Sequence, residues 1–213
     1  MSARVLVLSP HPDDDAIGCG GALRHHVLNG DSVKLVVMTS GEAGGHGRHS
    51  PEETARLREA ETLAACKHIG IEEAMFWRAP DGKLTASAAM INQLGAIIET
   101  WKPNYIYAPH PAEMHVDHQA TTQLLKLAVK SVSNLPSTFT IRLYEVWTPM
   151  QEMDEIVDIS DYVETKLAAI REHKTQISVM RLDVAALALN RYRGEMHSWP
   201  GGDYAEVFQK LRS

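Results

Sequence analysis

Short apolar runs alternate with helix-forming segments four times in the first 132 residues, and this restricts the fold more than any single motif. The runs at 5–9, 33–38, 74–77 and 105–107 read as strands, and 33–38 is almost wholly apolar, as a parallel strand covered on both faces is. Between them lie helical patterns. The glycine run Gly18-Cys19-Gly20-Gly21 predicts a tight turn into a helix over 22–28, which Asn29-Gly30 stops. Ser50-Pro51-Glu52-Glu53 is a capping box with proline at the first helical position, and opens a helix that ends near Gly70. Further helices are expected over 86–100 and 117–132. Beyond them come strands at 141–147 and 156–159, a helix at 161–173, and helical patches at 179–189 and 204–211. The alternation predicts an α/β fold, a Rossmann-like three-layer sandwich with a mostly parallel sheet and helices on both faces. With no repeats, linkers or low-complexity segments, residues 1–213 are expected to form one domain.

If the strand order is the common 3-2-1-4-5, the first and fourth strands are neighbours where the winding reverses. Ligands bind there, beyond the carboxyl ends of the strands. The first strand runs into Ser9-Pro10-His11-Pro12-Asp13-Asp14-Asp15, and the fourth leads to His110, Glu113, His115 and His118. Three adjacent carboxylates repel one another unless a cation or a proton relieves them. His11, Asp14 and His118 form a two-histidine, one-carboxylate set that leaves a position open for water, as a catalytic zinc requires, although another divalent ion would suit the same donors. Such a metal acidifies water and polarises a carbonyl. Asp13, beside a ligand, is placed to act as general base. His115 is placed to stabilise an oxyanion or protonate a leaving amine, and Asp117 to hold the second nitrogen of His115 and set its tautomer.

Other readings compete with these. Asp13-Asp14-Asp15 would also complement a helix dipole, and a His-x-x-His pair is common surface decoration. The glycines after Ile17 suggest a dinucleotide fingerprint, but the sixth position is Leu23 and an acidic cluster stands where a pyrophosphate would approach. The net charge of −6 argues against nucleic acid or an anionic membrane as partner. The two cysteines, in unlike contexts, fit a reducing cytoplasm better than a disulfide scaffold. There is no room for a signal peptide before the first strand, and no apolar run approaches the roughly 20 residues of a membrane span.

Pro10-His11-Pro12-Asp13-Asp14-Asp15 resembles the PHPDDE signature of the LmbE/PIG-L family of zinc-dependent N-deacetylases, which includes the bacillithiol-biosynthesis type. His115-Val116-Asp117-His118 is similar to that family's HPDH motif. The segments 39–44, 58–70, 80–84, 166–176 and 204–208 resemble later family motifs in the same order, so the likeness runs nearly end to end. It implies zinc held by His11, Asp14 and His118, Asp13 as base, His115 at the transition state oriented by Asp117, and Arg58 and Asp81 facing a sugar. It also implies removal of the acetyl group from an N-acetylglucosamine-type glycoside, a small-molecule partner, and a homo-oligomer. An amidase acting on a larger sugar or thiol conjugate is the second expectation, and a non-catalytic sugar-binding module the third. Asp15 stands where the family has glutamate, and Val116 where it has proline. From the residues alone, Arg58 with Glu61 also reads as an ion pair along one helix, and Asp81-Gly82 as a turn.

Overall fold

The computed structural model describes residues 2–133, 135–136, 139–197 and 202–211. Seven strands, β1 (Arg4–Ser9), β2 (Ser32–Thr39), β3 (Glu73–Ala79), β4 (Tyr105–Pro109), β5 (Thr140–Tyr144), β6 (Glu155–Asp158) and β7 (Ala205–Lys210), form one sheet in the order β3-β2-β1-β4-β5-β7-β6. The first five are parallel, and β7 runs antiparallel to both β5 and β6.

β1 shows why this sheet is the middle layer. Val5 and Val7 join one apolar cluster, with Leu23 of α1 (Asp14–Leu28), Ile69 of α2 (Pro51–Ile69) and Ile170 of α5 (Val163–Glu172). Leu6 and Leu8 point the other way, to Leu94 and Ile98 of α3 (Ala88–Trp101) and Leu124 of α4 (Val116–Ser131). All four β1 side chains are fully buried. The period of two along a strand, applied to an unbroken apolar run, thus builds two cores and demands helices on both faces. A short α6 (Lys174–Ile177) and a longer α7 (Leu182–His197) complete the helices among the described residues. None of those helices is long and apolar enough to cross a membrane.

Two local expectations are corrected. The run Gly18-Cys19-Gly20-Gly21 is not a turn but the second turn of α1, which starts at Asp14. The glycines serve packing: a Cβ at Gly18 would lie 2.2 Å from the Tyr144 ring, and one at Gly21 2.6 Å from Ile159. The helix can lie close against β5 and the chain after β6 only where side chains are missing. The second correction is the segment 204–211, which forms strand β7 rather than a helix. Its Glu206 is 1% exposed. One carboxylate oxygen accepts from Lys166 Nζ at 2.7 Å and Gly21 N at 2.9 Å, and the other from Ala22 N at 2.8 Å. A buried glutamate can sit in a strand here because its cation comes from α5 and its amide donors from α1. Glu206→Gln is expected to lower unfolding free energy by about 3 kcal/mol, because Lys166 stays buried without its counter-charge. Urea denaturation reads this, and a loss below about 0.5 kcal/mol, the size of an ordinary surface change, would show that the pair is not what locks β7 to α1.

The candidate metal and catalytic centre

β1 pairs with β4 in register from Val5–Tyr105 to Val7–Tyr107, so the segments leaving their carboxyl ends emerge side by side. One carries His11, Asp13 and Asp14 into α1. The other carries Glu113 and His115 into α4, where His115 is the N-cap and His118 lies in the first turn. The ring centroids of His11, His115 and His118 lie 4.6 to 5.3 Å apart.

Asp14 Oδ2 is 3.1 Å from His11 Nδ1 and 3.1 Å from His118 Nε2. Tetrahedral coordination with metal–ligand bonds of about 2.0–2.1 Å sets neighbouring donors roughly 3.3 Å apart, close to these spacings. His118 is fully buried, yet neither ring nitrogen makes an aligned hydrogen bond. A buried imidazole without partners is costly. One whose Nε2 lies 3.1 Å from a carboxylate oxygen suits a cation. Burial alone would push Asp14 up, but His118 and His11 hold its carboxyl well below the usual range. The donors present fit a divalent metal: ring nitrogens of His11, His115 and His118 converge within 4.8 Å of one another, and Asp14 Oδ2 lies 3.1 Å from His11 and from His118.

Behind each histidine stands a carboxylate. His11 Nε2 is 3.0 Å from Asp117 Oδ2 and 3.2 Å from Asp81 Oδ1, which keeps a proton on Nε2 and makes Nδ1 the nitrogen turned towards Asp14 Oδ2. His118 Nδ1 lies 3.6 Å from Glu113 Oε2. Glu113 is fully buried, and its carboxylate also accepts from the amides of Val146 (2.6 Å), Trp147 (3.1 Å) and Thr148 (3.3 Å). Burial alone would push it up, but His110, then the amide of Val146, hold it below the usual range. Sequence reasoning gave Glu113 no role. The available signal was its position, a carboxylate five residues before His118 in a loop already rich in histidine.

The expected role of Asp117 is corrected. Its carboxylate does not reach His115; it accepts from Gly82 N at 2.7 Å and Leu84 N at 2.9 Å, and meets His11. The backbone amide of Asp117 does the orienting instead, donating to His115 Nδ1 at 3.2 Å. An N-cap side chain accepts from the first helical turn, so here capping sets the tautomer and puts the proton on Nε2. Burial, then the charges of His11 and His118, lower the pKa of His115, which favours the neutral ring.

Asp13 has φ 114°, a left-handed conformation uncommon outside glycine, and is 7% exposed. Burial pushes its carboxyl up to about 7, opposed by the guanidinium of Arg58. Arg58 Nη2 donates to Asp13 Oδ2 at 3.1 Å and Pro12 O at 2.6 Å, and Nη1 to Gly41 O at 3.0 Å. Gly41 has φ 64°, and a Cβ there would come 2.0 Å from Nη1, so the glycine-rich loop is shaped around this guanidinium. Asp15 turns away from the cluster: Ser9 Oγ donates to its Oδ1 at 3.1 Å, while burial raises its carboxyl to about 6. His173 is buried without partners for either nitrogen, and burial followed by the charge of Arg58 pushes it down to about 3, so it is neutral.

Above the cluster opens a cavity of about 280 Å³, lined by His11, Asp13, Asp81, His115, His46 and Trp147 among others. This is near the lower end of small-molecule pockets, which run roughly 300–1,000 Å³. Both Arg58 and Asp81 line it, and both are already engaged with protein groups: Asp81 also accepts from Ala43 N at 3.0 Å.

Comparison with known proteins gives a consistent set. The PIG-L family, described as GlcNAc-PI de-N-acetylase, matches over residues 6–129. A probable N-acetyl-alpha-D-glucosaminyl L-malate deacetylase 2 of Bacillus cereus is 28% identical, with 90% of this chain and 91% of that protein covered. A 1D-myo-inositol 2-acetamido-2-deoxy-alpha-D-glucopyranoside deacetylase of Mycobacterium sp. (strain JLS) is 26% identical, covering 83% of this chain and 75% of the relative. Among solved structures, the N,N'-diacetylchitobiose deacetylase of Pyrococcus horikoshii superposes with a TM-score of 0.86 at 27% identity, over 98% of this chain and 84% of that one.

Proposed function

The chain belongs to the PIG-L family, and from that premise we propose that it is a metal-dependent hydrolase that removes the N-acetyl group from an N-acetylglucosamine-type glycoside, giving a free amine and acetate. The observation that carries the reading is the meeting of two strand-end segments at Asp14 Oδ2, 3.1 Å from one nitrogen of His11 and one of His118, with the carboxylate of Asp13 in the same cavity. His11, Asp14 and His118 would hold the metal, with zinc the ion that best suits two imidazoles and a carboxylate. When bound, the ion supplies Lewis-acid polarisation of the amide carbonyl and acidifies water.

The chain's own residues do the rest. Asp13 accepts a proton from the attacking water, and Arg58 aims its carboxylate. Neutral His115 presents Nε2–H to the oxygen that gains charge as the carbonyl carbon becomes tetrahedral. The departing amine takes its proton from Asp13, which holds the one removed from water; neutral His115, with Nδ1 occupied by the Asp117 amide, keeps its own on Nε2. Asp81 and Arg58 form the wall towards the sugar. Asp117 and Glu113 keep His11 and His118 turned towards the shared point. The free, buried thiols of Cys19 and Cys66 suit the reducing cytoplasm as the place of action.

Acetate release is the direct test. The malate, inositol and chitobiose forms of N-acetylglucosamine are incubated with the metal-analysed protein, before and after chelation. Release from at least one of them is expected, with loss on chelation and recovery when zinc is returned. Zinc-loaded protein that frees acetate from none of them would overturn the proposal.

A further inference from the structure

The glycine-rich loop over the catalytic cavity carries a histidine for which the reaction has no use. His46 lines the cavity with His11, Asp13, Asp81 and His115, and it is exposed at the mouth. Its backbone has φ 50°, and Gly47 follows at φ 73°. Arg48 N donates to Gly45 O at 2.9 Å, which closes a tight turn with both central residues at positive φ. Such turns ordinarily take glycine, asparagine or aspartate at their centre. The turn is seated on α2, since a Cβ at Gly45 would come 2.5 Å from Thr54 Oγ1.

A chain of hydrogen bonds fixes the two ring nitrogens. Glu61 accepts from Thr175 N at 2.8 Å and from Thr175 Oγ1 at 2.7 Å, which engages the hydroxyl hydrogen. That hydroxyl oxygen and the Gly44 carbonyl are then acceptors only, and Gln176 Nε2 donates to them at 3.2 and 3.1 Å. Both amide hydrogens are thus engaged. Gln176, 7% exposed, turns its Oε1 to His46 Nε2 at 3.3 Å as an acceptor. The ring hydrogen therefore sits on Nε2, and the neutral ring keeps its lone pair on Nδ1. Among the described side chains that line the cavity, His46 Nδ1 is the uncharged nitrogen or oxygen acceptor that no protein donor reaches. A residue held at a costly backbone by its surroundings, with one nitrogen fixed and the other open, is placed for a ligand.

Resting on the deacetylase reading, we infer that His46 determines specificity: its Nδ1 accepts a hydrogen bond from one hydroxyl of the sugar ring, at carbon 3, 4 or 6. The acetyl group must reach the floor at His11 and Asp14, so the ring that bears it lies between that floor and the mouth. Arg58 is engaged with Asp13, Pro12 O and Gly41 O, and Asp81 with Ala43 N and His11. His46 adds an acceptor without charge, and a hydroxyl is the uncharged donor that a sugar ring brings. An analogue without that hydroxyl leaves Nδ1 covered and unmatched.

The test uses zinc-loaded protein and methyl glycosides of N-acetylglucosamine, both anomers, with the hydroxyl at carbon 3, 4 or 6 replaced by hydrogen or by fluorine. Acetate release gives kcat/KM, and calorimetric binding of the corresponding free-amine glycosides is measured in parallel. His46→Gly removes the ring and suits the positive φ. His46→Asn tolerates the same backbone and places an oxygen close to where Nδ1 stands. At one of the three positions, loss of the hydroxyl is expected to cost wild type roughly threefold to tenfold more than it costs His46→Gly. Fluorine should cost as much as hydrogen there, because it has no hydrogen to donate, and His46→Asn should restore most of the difference. If His46→Gly weakens every compound alike and leaves all ratios as in wild type, the histidine is structural and the inference is overturned, with the deacetylase intact. A fluoro compound equal to its parent at the position concerned would overturn Nδ1 as acceptor. Binding ratios that change with His46 while no compound releases acetate would sustain the hydroxyl contact and overturn the deacetylase.

Discussion

Asp13→Asn is expected to lower kcat by about a thousandfold, within the roughly 10²–10⁴-fold that a positioned general base contributes, with metal content unchanged. Asparagine suits the experiment for a backbone reason. Asp13 sits at φ 114°, where most side chains are strained and asparagine is among the better tolerated. The substitution therefore removes the proton acceptor without releasing the turn that aims it. The same turn is held from outside by Arg58, which bonds both Pro12 O and the Asp13 carboxylate. A strained residue that the surroundings hold in place at a cavity floor is the pattern expected of a group positioned for chemistry. Single-turnover acetate release gives the rate, and metal analysis of the same preparation gives occupancy. Full activity with metal present would remove Asp13 from the base role.

His118→Ala is expected to weaken metal binding by far more than the roughly 10–100-fold that loss of a group behind a ligand costs, and His115→Ala by only a few-fold. The three histidines converge, and their donor atoms alone would make a second, all-histidine site. Two facts favour the set with Asp14. Asp14 Oδ2 already lies 3.1 Å from both other donors. His115 Nδ1 is already taken by the Asp117 amide. Glu113→Gln belongs to the intermediate class, about 10–100-fold, because it removes the charge behind His118 while keeping the shape. Competition against a chromophoric chelator ranks the three variants. Equal losses for His115→Ala and His118→Ala would establish the three-histidine arrangement instead.

The two-sided burial of β1 follows from local pattern, because strand periodicity and unbroken apolar runs act over a few residues, while the strand order through β5 matches the common order for an alternating chain, which local pattern does not fix. The acidic and histidine motifs were legible for the same reason: carboxylates packed at a strand tip need an explanation wherever the chain folds. What the local pattern misread depends on contacts far along the chain. Gly18 and Gly21 look like a turn until Tyr144 and Ile159 lie against them. The segment holding Glu206 looks helical until Lys166 and α1 reach its carboxylate. Asp117 looks like the partner of His115, two residues away, but its carboxylate goes to His11, 106 residues away, and to the loop at Gly82.

Residue type and spacing, which a strand tip preserves, thus set out donors suited to a metal, an acid beside them and histidines on the facing loop. Only the tertiary structure decided which carboxylate stands behind which histidine, and that Glu113 lies beside His118. The physical reason is that a side chain's direction and burial are set by neighbours brought in by the sheet, and a one-dimensional pattern does not contain them.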